Sequence, residues 1–195
     1  VTADFRDTNL METGASISVL DESLIFESGA QHLEEILGNA PNVNYASGTS
    51  RARYFQIRGV GDRSQFQEPL NPSVGLLLDG IDFSGIGSLG TTFDVEQVEI
   101  LRGPQGTLFG RNTPAGAVSV NSVKPDHDGS AYLQVEGGDY NLFSAQGAVS
   151  ISAIEDVLAF RLTGFGMQRD GFVSDVALGD DKIYDRDRWG GRLQA

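Results

Sequence analysis

Hydrophobic and polar positions follow two different rules along this chain, and the change falls near residue 125. Up to that point the pattern is mixed. "SISVL" (16–20) alternates like a short strand, and "DESLIF" behind it fits one helical turn with Asp21 as its N-cap. In "ESGAQHLEEILGNAP" the apolar Leu33, Ile36, Leu37 and Ala40 fall on one helical stripe. Ser28 and Gln31 have the spacing of a capping box, and Gly38, Asn39 and Pro41 end the run, so a helix is predicted there. "RYFQIRGV", "SVGLLLDGIDF", "VEQVEILRG" and "GAVSVNSV" (116–123) are β-leaning runs broken by glycine. Strands interleaved with short helices and long glycine-rich loops predict a small α+β domain.

After "KPDHDG" the alternation becomes strict. In "LFSAQGAVSIS" the apolar Phe143, Ala145, Val149 and Ile151 interleave with the polar Ser144, Gln146, Ser150 and Ser152. "LAFRLTG" sets Leu158, Phe160 and Leu162 against Arg161 and Thr163, and "RWGGRLQA" sets Trp189, Leu193 and Ala195 against Arg188, Arg192 and Gln194. With "AYLQVEGG" at the front, this makes about four strands long enough to cross a bilayer at a tilt. "GGDYN" and "AIED" are tight connections, whereas "GFVSDVALGDDKIYD" is long and acidic, a difference that fits the two sides of an outer-membrane barrel. A soluble antiparallel sheet with one wetted face shows the same alternation. On the pattern alone the soluble sheet is the favoured reading.

Composition narrows the choice. Over 195 residues, enough for one sizeable core and part of another, the net charge is -13 and the pI about 4.4, so no general attraction to nucleic acid or anionic lipid is available. There is no cysteine, which removes disulfides, thiolate metal sites and cysteine nucleophiles. No apolar run is long enough for a transmembrane helix, so a membrane role would need strands. "VTADFRDTNL" lacks a basic start and an apolar segment, so a secretory signal is expected to have been cleaved or to lie outside this sequence. The 25 glycines are nearly twice the usual share and call for unusual backbone.

Candidate chemistry is sparse. "VEILRGPQGTLFGR" (98–111) combines glycines and arginines behind a strand-like run, yet it has neither the P-loop nor the dinucleotide spacing and no lysine. His32 and His127 stand without a ligand set, Ser47 and Ser50 are not in a nucleophile elbow, and the aspartates from Asp170 to Asp187 lack EF-hand spacing. No enzyme, metal or cofactor is predicted. A soluble ligand-binding or adhesion module with an antiparallel sheet is the alternative from another class. An enzyme with a glycine-rich phosphate loop comes third.

The motifs taken in order resemble the plug domain and first barrel strands of a TonB-dependent outer-membrane receptor. "VTA" (Val1, Thr2, Ala3) resembles the tail of a TonB box. "ISVLDESLIFESGAQHLEEILGNAPNVNY" is similar to the family's first strand and helix, with Asn42 where the family usually has glycine. "FQIRGVG", "VGLLLDGIDF" and "VEQVEILRGPQGTLFGRNTPAGAVSVNSVKP" match its I-R-G element, its V-D-G element and the signature where plug meets barrel. The fold implied is an α+β plug (a small mixed sheet with short helices) followed by antiparallel strands of an incomplete transmembrane β-barrel. The expected divisions are a TonB-box remnant and linker at 1–13, the plug at 14–125 and about four barrel strands at 126–195. Because the family's barrel has about 22 strands, the chain is expected to be a fragment.

The resemblance implies a Gram-negative transporter that takes up a scarce nutrient, either a ferric siderophore or similar chelate, cobalamin or a carbohydrate. Its partners would be TonB in the periplasm, the nutrient, outer-membrane lipid and the remainder of its own barrel. It places Arg58 and Arg102 against the inner barrel wall as a latch onto glutamates there, with Gly59, Gly103, Gly106 and Gly110 allowing positive φ and close backbone approach. Outward loops would carry Tyr45, Arg51, Arg53, Arg63, Phe66, Phe83 and Ser88 toward an anionic, partly aromatic ligand. Ligand contacts are expected to alter the order of residues 1–13 and so free the TonB box.

Overall fold

The computed structural model describes residue 9 and residues 13–47, 52, 54–62, 72–86, 90–175 and 180–195. It divides into two compact units, Val1–Val123 and Lys124–Ala195. The first unit runs β1 (Ser16–Asp21), α1 (Glu22–Glu27), α2 (Leu33–Ile36), a 3-10 turn (Leu37–Asn39), β2 (Val43–Ala46), β3 (Tyr54–Ile57), β4 (Val60–Gly61), β5 (Val74–Leu78), β6 (Ile81–Asp82), β7 (Val95–Arg102), α3 (Gly106–Phe109) and β8 (Gly116–Ser122). A five-stranded sheet has the order β1-β7-β8-β5-β6, with β5 and β8 parallel and the other pairs antiparallel. β2, β3 and β4 form a separate antiparallel sheet.

The apolar stripe of the sequence is the core. Leu33, Ile36 and Leu37 are fully buried and pack with Leu20, Ile25, Val98, Ile100, Val118 and Val120. Asp21 caps α1, accepting the Leu24 N–H at 2.9 Å. The predicted helix from Ser28 is corrected: Ser28 ends α1, and α2 begins only after His32, whose Nδ1 accepts from the Glu34 N–H. The break has two causes. Gly29 takes a left-handed φ of 61°, and Ala30, Gln31 and Leu33 each commit a backbone group to residues 90–92 rather than to a helical ladder. Thr92 Oγ1 donates to Ala30 O at 2.5 Å, and Leu33 N donates to Gly90 O at 2.8 Å.

Two hairpins carry the glycine motifs. β3 and β4 turn through Arg58 and Gly59, at φ 53° and 80°, and β5 and β6 turn through Asp79 and Gly80, at φ 50° and 80°. Both are two-residue loops with both φ positive, the form that matches strand twist. Asp79 also accepts from the N–H of the fully buried Ser122 at 2.9 Å and from its hydroxyl at 2.8 and 2.7 Å. Asp79→Ala removes the turn residue and its bonds to Ser122 together. Denaturant titration is expected to show a loss of about 2 kcal/mol.

The second unit contains β9 (Ala131–Gly138), β10 (Leu142–Ile154), β11 (Leu158–Arg169), β12 (Val173–Asp175), β13 (Asp180–Ile183) and β14 (Arg186–Gln194). β14-β11-β10-β9 form one antiparallel sheet. β12 and β13 pair as a small hairpin inside the segment read from sequence as a loop. The whole is a mixed-sheet α+β unit followed by antiparallel strands that close no barrel among the described residues.

Candidate functional site

Arg58 and Arg102 come together by way of two turns. Asn42 has a left-handed φ of 60°, the conformation for which glycine and asparagine are the favoured residues, which accounts for asparagine at that place. Its carbonyl accepts from Arg58 N at 2.9 Å, which docks the β3–β4 turn beside Pro41. At the end of β7, Arg102 is 9% exposed and donates through Nη2 to Ser18 Oγ at 2.6 Å and through Nε to Pro41 O at 3.2 Å. Burial, and then the charge of Arg58, lower its pKa from the ordinary arginine value. Arg102 is thus engaged by acceptors inside its own unit, whereas Arg58 is exposed. The two therefore differ in what they can reach.

The glycine-rich stretch is a closed loop between β7 and β8. Gly103 N donates to Ala115 O and Gln105 N to Thr113 O, each at 3.0 Å, while the N–H groups of Leu108, Phe109 and Gly110 are bonded within the loop. Those donors face their own chain, so the loop is not a phosphate cradle. Asn112 Nδ2 ties it to Asp82 Oδ2 at 2.6 Å. Burial disfavours the ionised Asp82, but hydrogen bonds from Ser84 and Asn112 and the charge of Arg111 outweigh it and hold the carboxyl below the usual range.

Gly59, Gly103 and Gly110 have positive φ, and Gly106 opens α3 without one. A Cβ on any of the four would meet open space among the described residues. A close approach within the unit is found at Gly116, which the sequence does not single out. A Cβ there would lie 2.3 Å from Leu101 O and 2.7 Å from Ile57 Cδ1.

Of the expected ligand-facing residues, Tyr45 lies in β2 opposite Phe55 rather than in a loop, and its side chain is 43% exposed. The polar–apolar run "VNYA" is too short to announce a strand without its partner β3. Phe83 is half-buried, with its N–H donating to Leu76 O at 2.8 Å. Arg51, Arg53, Arg63, Phe66, Ser88, Val1, Thr2 and Ala3 lie outside the described residues.

In the second unit the usual arrangement of a soluble sheet is inverted. Val149 stands opposite Leu162 and Leu162 opposite Leu193, and all three are exposed, as are Leu133, Ile151 and Trp189 on the same face. On the other face Ser150 stands opposite Arg161 and Arg161 opposite Gln194. There Ser150, Arg161 and Thr163 are only 3%, 4% and 1% exposed. Arg161 Nη1 donates to Ser150 Oγ at 3.0 Å, and its guanidinium lies 5.9 Å from the centre of the Tyr132 ring. At the entry to this sheet a hydrogen bond from Ser130 holds the Asp126 pKa low, helped, against a small effect of burial, by the Gly129 N–H. His127 sits in the same entry, its Nδ1 3.3 Å from Ser152 Oγ.

Residues 9–117 match the family model described as the TonB-dependent receptor plug domain. The pesticin receptor of Yersinia pestis is 28% identical over 171 residues, covering 86% of this chain and 25% of that protein. The catecholate siderophore receptor Fiu of Escherichia coli (strain K12) is 30% identical over 164 residues, covering 80% of this chain and 20% of that protein. Among solved structures, the ferric yersiniabactin uptake receptor FyuA from Yersinia pestis superposes with a TM-score of 0.76 at 24% identity, over 92% of this chain and 28% of that one. The closed form of the ferric-catecholate import receptor Fiu gives 0.71 at 26% identity, over 93% and 24%. The chain spans a quarter or less of the length of these curated relatives. On the family match and the α+β architecture that carries it, the chain belongs to the TonB-dependent receptor plug-domain family.

Proposed function

We propose that this chain is the plug and the first wall strands of an outer-membrane receptor that imports a ferric chelate, with the energy supplied through TonB. The observation that carries the reading is the inverted sheet: apolar side chains such as Leu162 and Leu193 exposed, polar ones such as Ser150 and Thr163 buried. That is the order required of strands with lipid outside and a wet lumen inside. A soluble binding module would have no use for it. The relatives named above as receptors for siderophores support the cargo class, and the protein would act as a transporter rather than an enzyme.

In this reading the first unit blocks the lumen. Arg58, exposed on a strained turn, reaches the wall and pairs with carboxylates on later strands, while Arg102 braces the turn from beneath through Pro41. Ion pairs in a wet lumen hold orientation yet yield to a mechanical pull. Residues 1–13 hand the pull to the plug, and the outward loops around Arg51, Arg53, Arg63, Phe66, Phe83 and Ser88 meet the ligand. Tyr45 adds aromatic surface to them.

The test is uptake of radiolabelled iron by cells that carry the full-length receptor as their sole one, with and without TonB. Expected is chelate-dependent uptake that falls to background when TonB is removed, with surface binding retained. Arg58→Glu should sharply reduce retention of the plug in the barrel in the same cells. Uptake that is indifferent to TonB contradicts the proposal, and an unchanged plug in the Arg58 variant removes the latch.

A further inference from the structure

We infer that Ser18 is a positioning residue for Arg58: through Arg102 and the Pro41–Asn42 turn, the docking of the first strand sets the turn that carries Arg58. The inference rests on the receptor reading, in which Arg58 reaches the wall, and names the part of the plug that controls it.

The Arg58 turn is one that has to be held. Arg58 and Gly59 take φ of 53° and 80°, close to the 50° and 80° of Asp79 and Gly80 in the β5–β6 hairpin. Such a turn favours asparagine, aspartate or glycine, and an arginine in it is strained. Asp79 has an anchor of its own, because its carboxylate holds Ser122. The Arg58 turn is anchored through its backbone instead, with Arg58 N donating to Asn42 O at 2.9 Å. Asn42 is itself left-handed at φ 60°, so two residues in costly conformations lean on each other.

Arg102 is what braces this pair. Its direct partner across the β1–β7 ladder is Ser16, but the guanidinium runs diagonally to the next residue on that face, where Nη2 donates to Ser18 Oγ at 2.6 Å. Nε donates to Pro41 O at 3.2 Å, one residue before the carbonyl that holds Arg58. Both acceptors are neutral. Burial and the charge of Arg58 each disfavour the Arg102 cation, so the two bonds hold like charges near one another against their repulsion.

The far end of the brace is the element best placed to let go. β1 is the edge of its sheet and pairs there with β7 alone. It is also the first strand in chain order. When Ser18 parts from Arg102, the Pro41–Asn42 turn and the Arg58 turn lose their common support, and the two strained residues are free to relax. The state of the chain just ahead of Ser16 is thereby conveyed to Arg58.

The test uses purified full-length receptor with a single nitroxide label, either on Val60→Cys, beside the Arg58–Gly59 turn, or on Ile81→Cys, at the matching place beside Asp79–Gly80. Both side chains are exposed, at 55% and 61%. Each label is combined with Ser18→Ala, which removes the acceptor, with Ser18→Thr, which keeps it, and with Ser16→Ala, which alters the residue directly opposite Arg102. Expected with Ser18→Ala is a roughly tenfold growth of the mobile part of the Val60→Cys spectrum, the size that loss of one bond to a charged group implies. The Ile81→Cys spectrum should stay unchanged, and Ser18→Thr and Ser16→Ala should match the wild type at both labels. Loosening at both labels, which would make Ser18 a stabiliser of the sheet and nothing more, overturns the inference. So does an unchanged Val60→Cys spectrum, or equal loosening from Ser18→Thr or Ser16→Ala. Iron uptake that depends on TonB is read without these labels, so failure of this link and failure of the receptor reading are separate results.

Discussion

Replacing Leu162 with arginine is expected to stop the full-length receptor from assembling in the outer membrane. Leu162 is 57% exposed and sits between Val149 on β10 and Leu193 on β14, in the middle of the apolar face. If that face meets hydrocarbon, an arginine near mid-depth costs about 2–4 kcal/mol, and a nascent barrel that must insert will stall. Leu162→Ala keeps the position apolar and should insert. The readout is the heat-modifiable mobility shift of a folded barrel in isolated outer membranes. In a soluble sheet the same arginine would lie in water and be harmless, so wild-type assembly of the Leu162→Arg protein would remove the membrane assignment.

The second large effect concerns the plug. Gly116→Val is expected to destabilise the Val1–Val123 unit by on the order of 3 kcal/mol or more. Gly116 has φ 149°, and a Cβ there would stand 2.3 Å from the Leu101 carbonyl oxygen. Leu101 lies within the β7–β8 ladder, so its carbonyl cannot step aside without loss of strand pairing. Gly106→Ala is the matched control, because it adds a methyl in open space, without a positive φ, at the first residue of α3. It should be neutral or slightly stabilising. Urea titration of the two variants checks both, and equal midpoints would mean that the close approach at Gly116 does not constrain the fold.

Much of this architecture is legible in the sequence wherever a signal is local. Alternation marks β10, β11 and β14 because each lies half in one environment and half in another. Asp21 announces α1, and the Asp79–Gly80 pair announces the β5–β6 hairpin, because cap and turn chemistry act within a few residues. What escapes is set by distant partners. The helix read from Ser28 is interrupted because Ala30, Gln31 and Leu33 bond to residues 90–92, far along the chain. Gly116 looks like the other glycines until Leu101 is placed against it. The bonds of Arg102 to Ser18 and Pro41 are likewise invisible until the three residues are placed together.

Alternation also says that two faces differ without saying which solvent each one meets. The burial of Ser150 and Thr163 and the exposure of Leu162 and Leu193 support the proposed order, lipid outside and a wet lumen within.

The sidedness of that sheet is also what a single experiment can read most directly. Nitroxide labels placed one at a time at positions 148–152 and 160–163 of the full-length receptor in lipid bilayers report collisions with oxygen, which concentrates in hydrocarbon, and with a water-soluble nickel chelate. The account predicts a two-residue period, with oxygen contact highest at Val149, Ile151 and Leu162 and lowest at Ser150, Arg161 and Thr163. A profile in which the nickel chelate reaches Val149, Ile151 and Leu162 freely would contradict it.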